Sequence, residues 1–106
     1  MSTASKKTAL ITGCSKGGIG DALAQEFHRK GIRVLATARN PSKLEHFKEL
    51  GIETLQLDVE DSASIKAAAE AAGELTNGKL DFLVNNSGMG EFPILLLSVF
   101  IEGHAG

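Results

Sequence analysis

The sequence has no tyrosine and no tryptophan, and its five aromatic residues are all phenylalanine. No phenol is therefore available as an acid, a base or a stacking group with a polar end. A single cysteine, Cys14, excludes an internal disulfide and fits a reducing compartment. His28, His46 and His104 are scattered without ligand spacing, so no metal site is expected. An excess of charge is missing too. Eleven basic and 13 acidic side chains give a net charge of -2, which leaves no basic stripe to follow a phosphate backbone. Nucleic acid is not an expected partner. The longest apolar stretch, Phe92 to Ile101, is interrupted by Pro93 and Ser98 and is shorter than the ~20 residues that span a bilayer. The start, Met1 to Lys7, is polar and lacks the apolar run of a signal peptide. The expectation is a cytoplasmic chain with no transmembrane segment.

What remains is an ordinary globular composition, 42% hydrophobic over 106 residues, enough for one domain with a core of its own. The hydrophobic pattern alternates regularly. Thr8 to Ile11 is a short apolar run, followed by a glycine-rich stretch from Gly13 to Gly20. Asp21 to Lys30 carries Leu23, Ala24 and Phe27 at helical spacing and stops at Gly31. Ile32 to Ala38 reads as a second strand. Asn40 is placed as an N-cap before Pro41, with Leu44, Phe47 and Leu50 along one helix that Gly51 ends. Ile52 to Val59 reads as a third strand. Asp61 or Ser62 caps an alanine-rich helix whose buried face is expected to carry Ile65, Ala68, Ala72 and Leu75. Asn77-Gly78 turns the chain into a fourth strand, Leu80 to Val84, apolar except for Asp81. This alternation of strand and helix predicts an α/β fold with a doubly wound parallel sheet, helices covering both faces.

The segment Thr12-Gly13-Cys14-Ser15-Lys16-Gly17-Gly18-Ile19-Gly20 lies between the first strand and the first helix. A glycine-rich turn there lets backbone approach a pyrophosphate, and the helix N-terminus supplies free N–H groups and a partial charge of roughly +0.5. Gly13 is expected to make the tight turn and Gly20 to let helix and strand pack closely. The spacing is not G-x-G-x-x-G. It is not a P-loop either, because Ile19 stands where lysine is required after Gly18.

Two further signals agree with the turn. The second strand ends in Thr37-Ala38-Arg39, and no acid occurs where an NAD site would place one to bind the ribose 2′-hydroxyl. Arg39, with Thr37 beside it and Lys16 in the turn, suits a 2′-phosphate instead. Arg39 by itself also reads as a solvated surface charge. The third strand closes with Asp58-Val59 and the fourth with Asn85-Asn86-Ser87-Gly88. In an open parallel sheet, ligands lie outside the carboxyl ends of the strands. Asp58 is placed to accept from an adenine amino group or to serve as a helix-start acid. Val59 offers its backbone N–H, while Asn86 and Gly88 would line the ribose edge. The two amides of Asn85 and Asn86 end an apolar strand and need partners.

These residues together resemble the N-terminal half of a short-chain dehydrogenase/reductase. The resemblance rests on the Thr12–Gly20 turn, on Asp58, and on Asn85-Asn86-Ser87-Gly88, similar to the family's Asn-Asn-Ala-Gly motif; it covers roughly residues 6 to 90. The longer turn with Cys14-Ser15 and a doubled glycine is similar to fungal NADPH-dependent 1-acyldihydroxyacetone-phosphate reductases and their relatives. The resemblance implies a Rossmann-type sheet, incomplete at about four strands in the order 3-2-1-4. It also implies hydride transfer between nicotinamide and a carbonyl or alcohol, with NADP(H) as cofactor. Gly13, Ser15, Lys16, Gly18, Ile19 and Gly20 would hold the pyrophosphate and adenosine side. Thr37 and Arg39 would meet the 2′-phosphate. Asp58 and Val59 would meet the adenine, and Asn85, Asn86 and Gly88 the ribose region. By the same resemblance the cytosolic face of the endoplasmic reticulum or of lipid droplets is a second setting besides the cytoplasm.

The sequence departs from the family where the chemistry would be. The family uses a tyrosine four residues before a lysine as its general acid or base, together with an upstream serine. No tyrosine occurs here. His104 has no partner nearby in sequence, and Cys14 reads as a small packed residue rather than a nucleophile. The pattern changes after Gly90, which divides the chain into a cofactor-binding half-domain, 1–90, and a divergent apolar tail, 91–106. This predicts a truncated or alternatively spliced product or a mispredicted gene model, with the fourth strand left as an apolar edge. Three readings stay open: the cofactor-binding part of an oxidoreductase acting on a small-molecule or lipid carbonyl when a longer chain exists, a non-catalytic NADP(H)-binding or interaction module, and a nonfunctional fragment. Oligomer formation is compatible with all but the last.

Overall fold

The structure, a computed structural model, describes residues 7–78 and 80–86. Four strands form one sheet: β1 (Thr8–Ile11), β2 (Arg33–Ala38), β3 (Glu53–Gln56) and β4 (Phe82–Val84). All pair in parallel, in the spatial order β3-β2-β1-β4. The three α-helices among the described residues are α1 (Ile19–Arg29), α2 (Glu45–Leu50) and α3 (Ser62–Thr76). The Rossmann-type architecture and its strand order are as expected.

Strand alternation explains the two-sided core. Leu10 and Leu35 point to one face, where they meet Leu57 and the Ile65, Ala68, Ala69 and Ala72 stripe of α3. Their neighbours Ile11, Val34, Ala36 and Ala38 point to the other face, onto Ala24 of α1 and Leu44, Phe47 and Ile52 around α2. Successive residues of one strand therefore feed two separate cores, as a sheet covered on both sides requires. Phe47 is the largest side chain with no solvent exposure.

Local chemistry sets the element ends. Asn40 accepts the Ser42 N–H at 3.0 Å and Pro41 follows it, as expected of an N-cap and first position. The single helix expected there is divided into a 3₁₀ turn, Pro41–Leu44, and then α2. Leu44 at φ -111, ψ 3 departs from helical geometry and separates the two. Helix α1 begins two residues before the expected Asp21, directly after Gly18. Asp61, not Ser62, caps α3 through the Ala63 N–H. Asn77, at φ 58, and Gly51, at φ 79, end α3 and α2 in the left-handed region.

Three expectations change. Strand β3 stops at Gln56 rather than Val59, because its partner β2 ends at Ala38, and Asp58 turns the chain by accepting the Glu60 N–H. Leu75 is exposed rather than part of the buried face of α3, and Leu50 is exposed at the end of α2. Strand β4 covers Phe82–Val84 only. The acid before it, Asp81, accepts the Thr8 N–H at 2.8 Å, while its own N–H donates to the Thr8 carbonyl at 2.9 Å. A charged residue at the mouth of an apolar strand thus anchors the first residue of β1. The tail 91–106, with His104, lies outside the described residues.

Candidate cofactor site

The order in which strands are added to the sheet reverses between β1 and β4, which themselves run parallel. The helix after β1 leads outward to β2, whereas α3 carries the chain across the opposite face to β4. Such a switch point opens a crevice at the carboxyl ends of the two strands. The Thr12–Gly20 turn leaves β1 at this place, and Asn85-Asn86 leave β4 beside it.

The two loops are tied together. The Thr12 N–H donates to the Val84 carbonyl at 3.0 Å, and the Thr12 hydroxyl donates to Asn85 Oδ1 at 3.3 Å. Asn86 Nδ2 donates to the Gly13 carbonyl at 3.1 Å. The amides that the sequence left in need of partners find them in the glycine turn. Gly13 has φ +68, so it makes the sharp bend. A Cβ built on Gly20 would lie 2.2 Å from the Gly13 carbonyl oxygen and 3.0 Å from Asn86 Nδ2. Gly20 thus lets the first turn of α1 sit directly on the bend, and Gly13, Gly20 and Asn86 form one unit.

Helix α1 starts at Gly18 without a side-chain cap. The Gly18 N–H donates to the Ser15 carbonyl at 3.0 Å, and no side chain caps the N–H groups that follow, where the positive end of the helix dipole lies. Ser15, Lys16, Gly18 and Ile19 are exposed in this segment, Ile19 at 72%. Gly17 has φ +88, and its N–H is held by Asp21 Oδ2 at 2.9 Å.

The loop after β2 lies against the same turn. The Cys14 N–H donates to the Thr37 carbonyl at 2.8 Å, and the Lys16 N–H to the Lys43 carbonyl at 3.2 Å. Arg39 is exposed, and its carbonyl accepts from Gln56 Nε2 at 3.1 Å. Among the described residues, Lys16, Arg39 and Lys43 form no ion pair, whereas Arg29, Arg33, Lys30 and Lys48 are each matched to a glutamate. Thr37 is different from its expected place beside Arg39. It is fully buried, and its hydroxyl donates to the Ile11 carbonyl at 3.0 Å. That hydroxyl braces β1 against β2 and is turned away from the loop surface.

Asp58 and Val59 sit at the end of β3, beyond Arg39. The Asp58 N–H donates to Ser64 Oγ at 2.9 Å and Asp58 Oδ1 accepts the Glu60 N–H at 3.0 Å, so its carboxylate closes the turn before α3, while the helix cap is Asp61. Val59 packs its side chain toward the α3 core. Gly88, and Ser87 before it, lie outside the described residues. Cys14 is fully buried and its thiol donates to the Ile11 carbonyl; burial pushes its pKa up to about 11. It is a packing residue, as expected, and not a nucleophile.

Sequence reasoning missed Asp21 and His46. Asp21 is buried, with Oδ1 accepting from Gln25 Nε2 and from His46 Nε2, both at 2.8 Å. Burial alone would raise its pKa, but the hydrogen bonds from Gly17, Gln25 and His46 hold it below the usual carboxylate value. His46 Nδ1 is buried without a partner among the described residues. The one legible signal was an acid in the first turn of a helix directly after a glycine run. Its partner lies 25 residues away and is brought there by packing alone.

An open parallel sheet with a glycine bend and an uncapped helix at its switch point is the design of Rossmann-type nucleotide-binding domains, and this chain is of that class. Residues 7–99 match the family model described as short chain dehydrogenase, and the chain belongs to that family. It is 47% identical over 83 residues to an NADPH-dependent 1-acyldihydroxyacetone phosphate reductase of Schizosaccharomyces pombe, an alignment that covers 78% of this chain and 28% of that protein. It is 51% identical over 92 residues to a short-chain dehydrogenase of Penicillium crustosum, covering 85% of this chain and 34% of the relative. The chain thus spans about a third of the length of these curated relatives. Among solved structures it superposes on an NADPH-bound carbonyl reductase from chicken fatty liver with a TM-score of 0.78 at 27% identity, covering 92% of this chain and 48% of that one. The family uses a nicotinamide dinucleotide. No helix among the described residues is long and apolar enough to cross a membrane.

Proposed function

We propose that this chain is the NADP(H)-binding part of a short-chain dehydrogenase/reductase oxidoreductase. The observation that carries the reading is the unit formed by Gly13, Gly20 and Asn86 at the switch point, next to an uncapped helix start. A Cβ at Gly20 would collide with the Gly13 carbonyl, so glycine there lets the start of α1 pack backbone to backbone on the bend. The residues present fit a dinucleotide. The N–H groups of Ile19 and Gly20 would face the pyrophosphate, with the Gly18 N–H held by the Ser15 carbonyl at 3.0 Å. Lys16 and Arg39, unpaired within the described residues, would neutralise a 2′-phosphate, with Asn86 fixing the bend that receives the ribose side. When bound, the cofactor supplies or takes up a hydride at a carbonyl or alcohol carbon.

Cofactor choice follows from Arg39 and from the lack of an acid at the end of β2. The NADPH-dependent relative and the NADPH-bound neighbour support the same choice. Reduction of a lipid-type ketone by a longer chain is the substrate class that the first of these relatives supports. These 106 residues contain no tyrosine for the proton transfer that accompanies hydride transfer in the family. The chain by itself therefore binds the cofactor without turning over a carbonyl.

Titration of NADPH and NADH against the wild type and Arg39→Ala tests the reading. Arg39→Ala is expected to weaken NADPH by roughly 10- to 100-fold, the worth of a charge-assisted hydrogen bond, and to leave NADH nearly unchanged. Equal weakening of both cofactors would remove Arg39 from the 2′-phosphate, and no thermal upshift of the wild type at millimolar NADPH would remove the cofactor altogether. Steady NADPH oxidation by this chain with a carbonyl substrate would refute the second part.

A further inference from the structure

We infer that the Asp21 carboxylate and His46 form a positioning clamp that sets the relation between the glycine turn and the loop after β2, and so sharpens discrimination for a 2′-phosphorylated dinucleotide. The inference rests on the proposed cofactor reading. A dinucleotide of this kind would touch two segments that are separate in the chain, the Thr12–Gly20 turn and the Arg39 loop. Its affinity depends on their being held at a fixed separation before it arrives. Two backbone bonds already cross between them, Cys14 N–H to the Thr37 carbonyl and Lys16 N–H to the Lys43 carbonyl. The first lies at the sheet end, behind the loop, and the second is an exposed bond at 3.2 Å.

Asp21 adds a buried link that reaches both segments with one side chain. Its Oδ2 takes the N–H of Gly17, a residue at φ +88 whose bend would otherwise be free to relax. Its Oδ1 takes Nε2 of His46, the second residue of α2. Helix α2 continues directly from the Pro41–Leu44 turn, which in turn follows Arg39 and Asn40. Holding His46 therefore holds the root of the Arg39 loop. Gln25, one helical turn after Asp21, donates to Oδ1 as well and keeps the carboxylate in its rotamer. The pair is mostly buried, with side-chain exposures of 19% for His46 and 10% for Asp21, so water competes weakly for it.

The two ends of the clamp predict different effects. His46 belongs to the Arg39 side and reaches the turn only through Asp21, which Gln25 also holds, so losing it should cost NADPH far more than NADH. Asp21 bears on both, so losing it should weaken both cofactors, NADPH more. The test titrates each cofactor against the full chain carrying His46→Ala, His46→Gln or Asp21→Asn, with circular dichroism confirming that each variant is folded. His46→Ala is expected to lower NADPH affinity about tenfold and NADH less than about twofold, and His46→Gln, whose amide can still donate to Asp21, to recover most of the loss. A clamp with a merely structural role would lower both affinities in equal proportion and would not alter their ratio. A folded His46→Ala with an unchanged NADPH to NADH ratio overturns the inference and leaves the cofactor reading intact. A wild type that binds neither cofactor overturns both. Should His46→Ala not fold, His46→Asn takes its place, since the shorter amide stays polar but does not reach Asp21.

Discussion

Gly20→Ala is the smallest substitution that attacks the site through its packing. The added methyl would lie 2.2 Å from the Gly13 carbonyl oxygen and 2.8 Å from its carbon, both backbone atoms. Backbone cannot swing aside as a long side chain can, so the bend must retreat by roughly 1 Å to reach ordinary contact. Overpacking of this kind costs about 1–3 kcal/mol. The displaced carbonyl would also lose the 3.1 Å bond from Asn86, worth about 1 kcal/mol. Alanine's better helix propensity returns up to about 1 kcal/mol. The net loss is about 1–3 kcal/mol, a fall in Tm of roughly 5–20 °C for a unit of this size. Gly73 in α3 is the matched control, because a Cβ there meets nothing within 4 Å. Gly73→Ala should raise stability by about 0.5–1 kcal/mol through helix propensity. Thermal melts followed by circular dichroism read both variants. A Gly20→Ala melt within about 2 °C of the wild type would refute the close-packing argument, as would shifts of the same sign at both glycines.

Acid should probe Asp21 directly. Its folded pKa is lowered by the Gly17, Gln25 and His46 bonds that outweigh burial, so its contribution is full above the unfolded value of about 3.9 and is lost as pH falls through the folded value. Urea midpoints between pH 5 and 2 should fall more steeply for the wild type than for Asp21→Asn, and parallel profiles would count against the network. Cys14 should resist an aromatic disulfide reagent at pH 8 in the folded chain and react fully in guanidinium, since burial raises its thiol to about 11; rapid stoichiometric labelling of the native chain would contradict that packing. Asn77→Ala should destabilise by about 1 kcal/mol, because alanine tolerates φ 58 poorly, while Asn77→Gly should be neutral or better; equal effects in chemical denaturation would refute the left-handed cap.

The match between sequence and structure is closest where a local rule decides. Strand β1 is Thr8–Ile11 as read, because the apolar run ends at Ile11 and Gly13, at φ +68, bends the chain away. The caps at Asn40 and Asp61 and the stops at Gly51 and Asn77 follow from single side chains acting on their own backbone. The reading drifts where neighbours decide. Ile52 to Val59 is a continuous strand by propensity, yet β3 ends at Gln56 because β2 offers nothing further to pair with. Leu75 keeps helical spacing with Ile65, Ala68 and Ala72, yet it is exposed while the next residue, Thr76, is buried. Thr37 is two residues before Arg39 in sequence, but it lies within β2, where the neighbouring strand takes its hydroxyl at the Ile11 carbonyl, whereas Arg39 lies past the strand end.

By itself the sequence determined the class of this protein: the alternation of strand and helix, the glycine turn before α1 and the paired asparagines after β4 depend on residue type and spacing, which a linear reading captures. It also determined a negative, the lack of any tyrosine in 106 residues. The tertiary structure decided which of these pieces meet. Asn86 reaches Gly13 across 73 residues, and His46 reaches Asp21 across 25. The physical reason is that a hydrogen bond between distant segments is specified by the sheet register and the packing of α1 and α2, neither of which leaves a periodic trace in the chain.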